Sequence, residues 1–381
     1  MKSMTSNNPY RSLPAGICLF LVFLLLLAAC GKTNAGLTPT PLPSFATQAD
    51  AFFAQQVANH TFSGTVQVTR DGKVLFGKSY GMADWEQQVP NMLNTKFRIG
   101  SVTKQFTALA ILLLQEQGRL HVQDHLCTFI AQCPAAWQPI TLHQLLTHTS
   151  GISMIKNVPN PFPATPEAVF ALLDRIPLDF APGTQYRYSN EGYQALGYVI
   201  QRVSGQSYAS FIEQHVLAPL HMSDSGFTLP EGQRIAQGYQ AWQIKAAATL
   251  YDRPLSPDMS FLYANGYLYS TVGDLQRWDQ ALTTSTLISQ QSFNAMFTPY
   301  VAMPSYSSLY SGSHYGYGWV IDQEGSLRVI WHNGWINGYR AYNGWYPDQK
   351  ATIILLDNLD TADPVPIANT LESLLFRNTG G

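Results

Sequence analysis

Residues 97–107 read Phe-Arg-Ile-Gly-Ser-Val-Thr-Lys-Gln-Phe-Thr, and the rest of the chain is best interpreted outward from them. They predict the end of a strand, then a glycine, and then Ser101 at the start of a long apolar helix that runs to Gln117. Unpaired backbone N–H groups and the positive end of the helix dipole converge at such a serine. Lys104 lies three residues further on and therefore shares a helix face with Ser101. A hydroxyl beside an amine, in a field that favours negative charge, is typical of an activated nucleophile.

The composition indicates a globular protein without a polyanionic partner. The chain has 381 residues, 46% of them hydrophobic, which suffices for a large core in one mixed domain or in two lobes. The formal net charge is -2, so no nucleic-acid partner is expected. Charged residues make up only 12% of the chain, whereas Tyr and Trp number 20 and 8. A surface of uncharged polar and aromatic residues suits an extracytoplasmic, polysaccharide-rich setting.

The first thirty residues indicate secretion and lipidation. Lys2 and Arg11 precede an apolar run over 17–27 that is short for a membrane span, and small residues then precede Cys30. The stretch Leu-Ala-Ala-Cys resembles a bacterial lipoprotein signal; an ordinary signal peptide with a chance cysteine is the alternative. We therefore expect a signal peptide over 1–29 and a lipid on Cys30. This lipid would anchor the protein to the outer face of a membrane, at the cell surface or in the cell envelope.

The next residues predict a spacer and then a folded domain. Residues 30–45 are rich in Pro and Thr and are expected to form an extended linker, followed by one domain over 46–381. Two cysteines of that domain, Cys127 and Cys133, are separated by five residues. In an oxidising compartment they could form a small-loop disulfide, and two buried free thiols are the alternative.

The histidine pairs do not indicate a metal site. His121 and His125 are four residues apart and His143 and His148 five apart, with no third ligand in a fitting pattern. No metal and no cofactor is therefore expected.

The periodicity predicts an α+β fold in which both ends of the chain contribute strands. A hairpin is predicted over 64–80, with Asp71-Gly72 at its turn, and the chain from 102 to 282 is mostly helical. Further strands are predicted over 328–332, 338–346 and 350–357, and helices over 47–59, 102–117, 141–147, 166–174, 190–203, 207–217, 273–282 and 363–376. The simplest arrangement is a central antiparallel sheet, flanked by the terminal helices, with a large and mostly helical insertion. The active site would lie in the cleft between sheet and insertion.

Two other serines match short nucleophile patterns. Ser153 and Lys156 repeat the Ser-x-x-Lys spacing, but they follow a Thr-Ser-Gly turn and are predicted to lie in a loop. Ser79 lies in a Gly-x-Ser-x-Gly stretch, which acts only as a strained turn between a strand and a helix. Ser79 is instead predicted to lie within a hairpin strand. Both contexts favour Ser101 as the nucleophile.

Two more clusters combine residues that could serve an activated serine. Tyr188 and Asn190 precede a helix and could reach one pocket, where a Tyr near a Lys can exchange a proton with the serine; an N-terminal helix cap beside a packed Tyr is the alternative. His332 and Gly334 follow a strand, and a glycine there would let substrate lie along the strand edge. The N–H of Trp335, with that of Ser101, could form an oxyanion hole, although a histidine closing a strand is the simpler interpretation of that motif alone. Residues 263–265 repeat the Tyr-x-Asn pattern.

Taken in order, these motifs resemble the serine β-lactamase and penicillin-binding-protein superfamily, and the Tyr of the second motif points to the branch of class C β-lactamases, DD-peptidases and family VIII esterases. The similarity extends over about residues 46–378 and includes the stretches 145–152, 182–184, 219–222, 265–275, 315–319 and 357–358. This resemblance implies a β-lactamase/transpeptidase-like fold and a serine hydrolase domain over 46–381.

The resemblance also implies a role for each motif. Ser101 would be the acylated nucleophile, Lys104 its proton partner and Tyr188 the general base, and which of the latter two accepts the first proton stays open. Asn190 would orient the substrate. His332 would replace the lysine of the third motif, and Gly334 would form the strand edge.

The third motif differs from the Lys-Thr-Gly that β-lactamases usually carry. A lysine is a lasting cation for the carboxylate of the antibiotic, whereas a histidine is only partly charged near neutral pH. The sequence therefore predicts a hydrolase of D-amino-acid peptides, esters or related amides, similar to a D-alanyl-D-alanine carboxypeptidase or an esterase. A true β-lactamase and a non-catalytic envelope protein that binds peptidoglycan are the alternatives.

Overall fold

The computed structural model describes residues 44–155, 170–239, 242–251, 263–359 and 361–377, except positions 172, 174, 246, 247, 285, 306–308 and 311. The predicted signal peptide over 1–29, the lipidation site Cys30 and nearly all of the predicted linker lie outside the described residues, as does Lys156. Among the described residues, no helix is long and apolar enough to cross a membrane.

The helices of the described chain are grouped at its two ends and in its middle. They are α1 (Phe45–Ala58), α2 (Thr103–Glu116), α3 (Leu142–Leu146), α4 (Asn190–Ser204), α5 (Tyr208–Ile212), α6 (Val272–Leu282), α7 (Gln290–Met296) and α8 (Pro364–Glu372). The predicted helix over 207–217 is present as α5 followed directly by a π-helix over Glu213–Leu217. The predicted helix over 166–174 lies mostly outside the described residues.

The strands come mainly from the two ends of the domain. They are β1 (Gly64–Arg70), β2 (Lys73–Tyr80), β3 (Met82–Asp84), β4 (Val89–Pro90), β5 (Phe97–Arg98), β6 (Trp242–Lys245), β7 (Ala248–Tyr251), β8 (Tyr269–Ser270), β9 (Val301–Met303), β10 (Ser313–Tyr315), β11 (Val320–Glu324), β12 (Leu327–Ile336), β13 (Tyr339–Tyr346) and β14 (Ala351–Asp357). Eight of those described form one sheet in the order β2-β1-β14-β13-β12-β11-β10-β9, and the pairs are antiparallel. The first and last strands of the domain are neighbours in the sheet, because β1 pairs with β14 and Gly64 lies opposite Asp357. The predicted α+β fold with a central antiparallel sheet is confirmed.

The two faces of the sheet bury side chains against different sets of helices. On β1, Val66 and Val68 pack into the cluster that contains Phe53 of α1 and Leu371 of α8. The alternate residues face the other way, where the amide of Gln67 bonds Gln276 of α6 at 2.8 Å. This period of two is the reason why one strand can serve both layers.

The strand that carries His332 is longer than the sequence indicates. The prediction ended it at residue 332, but β12 runs to Ile336, so the motif His332-Asn333-Gly334 lies inside the strand. The cause is the pairing of β12 with β13, which continues without interruption from Ile330 to Ile336. In this pairing Gly334 lies opposite Ala341. The site is therefore supported by a paired strand and not by a loop.

The turn before α2 places Ser101 against this strand. Gly100 has a φ of +51°, a conformation that favours glycine, and it opens a 3₁₀ turn over Gly100–Val102 that contains Ser101. The preceding strand β5 pairs with β8. Gly334 of β12 lies so close to this turn that a Cβ added to it would meet the Ile99 carbonyl oxygen at 1.9 Å. The contact joins the middle of the chain to the sheet.

The cysteine pair that the sequence left open is bonded. Cys127 and Cys133 form a disulfide in the helical part of the domain.

Replacing Gly334 by Ala should destabilise the protein by about 1–3 kcal/mol, because the new Cβ meets backbone and not a flexible side chain. Urea unfolding followed by circular dichroism would measure the change. Gly312→Ala is the matched control, since nothing lies within 4 Å of a Cβ there. A midpoint for Gly334→Ala equal to that of Gly312→Ala would contradict this account of the contact.

Candidate active site

Ser101 and Lys104 are in direct contact at the N-terminal end of α2. The Lys104 Nζ lies 3.0 Å from the Ser101 Oγ, 2.9 Å from the Asn190 Oδ1 and 2.8 Å from the Asn265 carbonyl oxygen. The lysine is fully buried, whereas the serine is partly exposed. The amine thus reaches the serine from behind, and the hydroxyl faces the accessible side.

The surroundings of Lys104 disfavour its charged form. Burial lowers the pKa of Lys104 well below its ordinary value, and the nearby carboxylate of Glu191 opposes this shift only in part. Burial also raises the pKa of Glu191, whose Oε1 accepts a bond of 2.8 Å from the Ile155 N–H. A neutral amine keeps two N–H donors, which match the oxygens of Asn190 and Asn265, and leaves a lone pair for the Ser101 hydroxyl proton.

Asn190 is the first residue of α4, and it does not cap the helix. Ser189 is the cap, and its hydroxyl accepts a bond of 3.1 Å from the Gly192 N–H. The Asn190 side chain is therefore available to accept a hydrogen bond from Lys104. The backbone carbonyl of Asn190 accepts a second hydrogen bond, of 3.3 Å, from Asn265 Nδ2. The second Tyr-x-Asn pattern of the sequence thus contributes Asn265 to the same cluster, which the sequence noted but did not assign.

Tyr188 lies over the same amine. Its ring centre is 4.8 Å from Lys104 Nζ, and its ring lies 4.3 Å from that of the buried His148. His148 also accepts a bond of 3.1 Å from the Ser189 N–H through Nδ1 and one of 2.9 Å from the Arg187 N–H through its carbonyl.

Sequence reasoning missed His148, which it treated only as half of a metal-ligand pair. The residue holds the backbone on both sides of Tyr188 and packs on its ring. The available signal was its place in the stretch 145–152, which carries part of the family resemblance.

His332 is neutral because it is buried. Its Nδ1 lies 2.6 Å from the Asn333 carbonyl oxygen and donates to it, because a carbonyl oxygen can only accept. In the neutral ring, Nε2 accepts from the Tyr315 hydroxyl at 3.0 Å. Burial lowers the pKa of His332 to about 3, and the bond to Asn333 opposes this shift only in part. The expectation of a partly charged histidine near neutral pH is wrong for this reason, which the sequence could not reveal.

The third motif lies beside the nucleophile. The rings of His332 and Tyr188 are 6.2 Å apart. The backbone of Trp335 lies against Gly100, where an added Cβ would be 2.8 Å from the Trp335 nitrogen. The Trp335 side chain is 61% exposed. All seven predicted residues of the site therefore meet at one place: Ser101, Lys104, Tyr188, Asn190, His332, Gly334 and Trp335.

The other nucleophile patterns lie in different environments. Ser79 is inside β2. The Ser153 hydroxyl is 2.8 Å from both the Pro177 carbonyl oxygen and Asp179 Oδ1, and these hydrogen bonds hold a loop together. In the part of the chain that the structure describes, no group of three or more His, Cys, Asp or Glu is arranged to hold a metal ion.

Most of the chain is similar to known proteins. The sequence profile of the Beta-lactamase family matches residues 49–375. The chain is 32% identical over 311 residues to PbpX of Bacillus subtilis (strain 168), which is named as a penicillin-binding protein, and the match covers 80% of this chain and 74% of PbpX.

Two solved structures extend the comparison. The octameric penicillin-binding protein homologue from Pyrococcus abyssi superposes with a TM-score of 0.77 at 29% identity, covering 87% of this chain and 77% of the other. A D-stereospecific amidohydrolase from Streptomyces sp. superposes with a TM-score of 0.70 at 25% identity, covering 89% and 100%.

Stability at acid pH should depend on His332. The pKa of His332 is lower in the folded protein than in the unfolded chain. Between about pH 6.5 and pH 3, the unfolded chain therefore has this imidazole protonated while the folded protein does not. The folded state is fully stabilised by this difference above about pH 6.5 and loses that stabilisation as the pH falls. Relative to His332→Gln, the wild type should lose up to about 2 kcal/mol more of its unfolding free energy between pH 7 and pH 4.5. Urea unfolding at both pH values measures this.

The exposed His125 provides the control for this experiment. His125→Gln should keep the wild-type dependence. A wild type and a His332→Gln variant with the same loss of unfolding free energy would contradict the neutral, buried state of His332.

Proposed function

Because the chain belongs to the beta-lactamase family, we propose that it is a serine hydrolase that forms an acyl-enzyme at Ser101. One observation carries the proposal: the buried Lys104 amine lies 3.0 Å from the Ser101 hydroxyl and is held by two further oxygens. A structural lysine would be stabilised by a carboxylate in contact with it, whereas this one contacts a hydroxyl, an amide and a backbone carbonyl. That environment keeps a proton acceptor beside the nucleophile.

Acylation would begin with attack of the Ser101 oxygen on the acyl carbonyl carbon. The hydroxyl proton passes to the lone pair of Lys104, and the carbonyl becomes a tetrahedral oxyanion. Collapse of this intermediate breaks the bond to the leaving group, which takes up a proton from the Lys104–Tyr188 pair. Water then attacks the ester on Ser101 and gives a proton to the same pair. The bond between the acyl carbon and Ser101 Oγ breaks, Oγ takes that proton from the pair, and the acid is released. The contact of 3.0 Å supports Lys104 as the first acceptor.

The oxyanion would be stabilised by the N–H groups of Ser101 and Trp335. The packing of the Trp335 backbone against Gly100 supports this role. Two fixed donors at a developing negative charge are worth several kcal/mol in the transition state. Gly334 has no side chain, so β12 can lie against the turn that carries Ser101 and present its edge to an extended acyl chain.

The substrate class follows from the neutral His332. A neutral imidazole engaged by Tyr315 and Asn333 offers no charge for a β-lactam carboxylate. We therefore favour D-amino-acid peptides, esters and related amides as substrates. The similarity to a protein named D-stereospecific amidohydrolase supports this choice. Family membership keeps β-lactam hydrolysis as the second candidate, and a non-catalytic envelope protein that binds peptidoglycan in the same cleft is the third.

We further propose that the protein acts outside the cytoplasm, as a membrane-anchored lipoprotein. The disulfide between Cys127 and Cys133 supports an oxidising compartment. Lipidation of Cys30 and cleavage after residue 29 remain predictions of the sequence, since both positions lie outside the described residues.

A fluorophosphonate probe should label the wild type and not Ser101→Ala, because only an activated serine attacks such a probe. Mass spectrometry of the intact protein measures the added mass. Ser79→Ala and Ser153→Ala are the matched controls and should label like the wild type. Lys104→Ala should fold and lose activity by roughly 10²–10⁴-fold, as expected for loss of a proton acceptor. Labelling of Ser101→Ala at the wild-type rate would refute the proposed nucleophile.

An activity panel should separate the candidate functions. With short-chain nitrophenyl esters, D-alanyl peptides and nitrocefin, we expect turnover of an ester or a D-peptide to exceed nitrocefin turnover at least tenfold, because His332 provides no cation. Nitrocefin hydrolysis faster than both others would favour the β-lactamase. Muropeptide binding without turnover of any of the three would favour the binding protein.

A further inference from the structure

A second cavity lies away from Ser101, between the sheet and helices α6 and α7. Its volume is about 720 Å³, which is enough for a small organic molecule. The walls come from α6, from α7 and from the ends of β1, β12, β13 and β14. None of the residues assigned above to the hydrolytic site lines it.

One wall of this cavity is aromatic. The ring of Trp345 packs edge-on against Phe293 at 6.1 Å and lies tilted 5.5 Å from Phe297, and Ile330 lines the same space. Phe293 is half-buried, so part of its ring is available to a ligand. Such a wall favours a flat apolar body over a charged or strongly hydrated one.

The lining of the same cavity includes the cations Arg328 and Lys350 and one buried carboxyl group, that of Asp279. Asp279 is 1% exposed, and its Oδ1 accepts a bond of 2.8 Å from Asn343 Nδ2. Its Oδ2 has no hydrogen-bond partner, and no cation among the described residues pairs with it. Burial raises the pKa of Asp279 to about 8. Leaving such an oxygen unpaired is unfavourable, so the site gains when a hydrogen-bond donor arrives.

The carboxyl is held in place by a fixed network. Asn343 Nδ2 lies 3.2 Å from Gln105 Oε1, and that oxygen accepts a second bond of 3.0 Å from Trp278 Nε1. All three partners are buried. Because Oδ1 accepts the hydrogen bond from Asn343, Oδ2 is the carboxyl oxygen that a ligand can bind. The network already holds the carboxyl in one orientation, so ligand binding does not cost the entropy of ordering this side chain.

We propose that this cavity is a second ligand site, which takes a small amphipathic amine. The apolar body of the ligand packs on Phe293, Phe297 and Trp345, and its ammonium group donates to Asp279. The ammonium supplies the missing hydrogen bond, and its charge favours the ionised form of the carboxyl, so the bound pair is charge-assisted and stronger than a neutral bond. This site is independent of the proposed hydrolytic function.

Isothermal titration calorimetry at pH 7.5 with 2-phenylethylamine and its uncharged counterpart 2-phenylethanol tests the proposal. We expect the amine to bind the wild type at least tenfold more tightly than the alcohol. In Asp279→Asn the two affinities should agree within twofold, because the isosteric amide cannot form the ion pair. Equal affinities in the wild type, or an unchanged ratio in Asp279→Asn, would overturn the proposal.

Two further variants make the result independent of folding and of the hydrolytic site. Phe293→Ala should weaken amine binding at least fivefold even if Asp279→Asn fails to fold, and unchanged binding would overturn the site. Ser101→Ala should bind the amine with wild-type affinity whether or not Ser101 is the nucleophile. Loss of amine binding in Ser101→Ala would place the amine at the hydrolytic site and refute the second one.

Discussion

The burial of the Lys104 amine is the constraint on which the site depends. The amine is fully buried and contacts Ser101 in the turn before α2, the start of α4 and the backbone of residue 265. A buried ammonium with no carboxylate in contact is costly to keep charged, so the burial that accompanies assembly of the cluster also lowers the pKa of Lys104. Assembly of the site and activation of its base therefore have one physical cause.

The sheet supplies the second half of the site by a backbone contact. Gly334 lets β12 approach the Ile99 carbonyl, and Gly100 bends the chain so that Ser101 follows beside Trp335. Side chains at either glycine would separate the strand from the turn. Because neither glycine has a side chain, Ser101 can lie close to the edge of β12. The sheet that contains β12 is built from strands at both ends of the domain.

The third motif shows how packing changes the chemistry of a residue. His332 occupies the position at which a lysine would be expected, yet it is buried, accepts from Tyr315 and donates to Asn333. It therefore shapes the site as a neutral group. Asp279 is a comparable case on the same face of the sheet, since it bonds Asn343 opposite His332, and burial without a cation leaves its carboxyl in need of a partner.

The sequence by itself determined the fold class, the hairpin, the terminal strands and the residues of the three motifs, because these depend on local periodicity and on residue type. It misplaced the end of β12, since strand length follows from pairing with β13. Only the tertiary structure decided that Asn265 joins the Lys104 cluster, that His148 supports Tyr188, that His332 is neutral and that Cys127 bonds Cys133. Apart from the disulfide, these outcomes depend on contacts between distant parts of the chain and on loss of water, and neither leaves a periodic trace in the sequence.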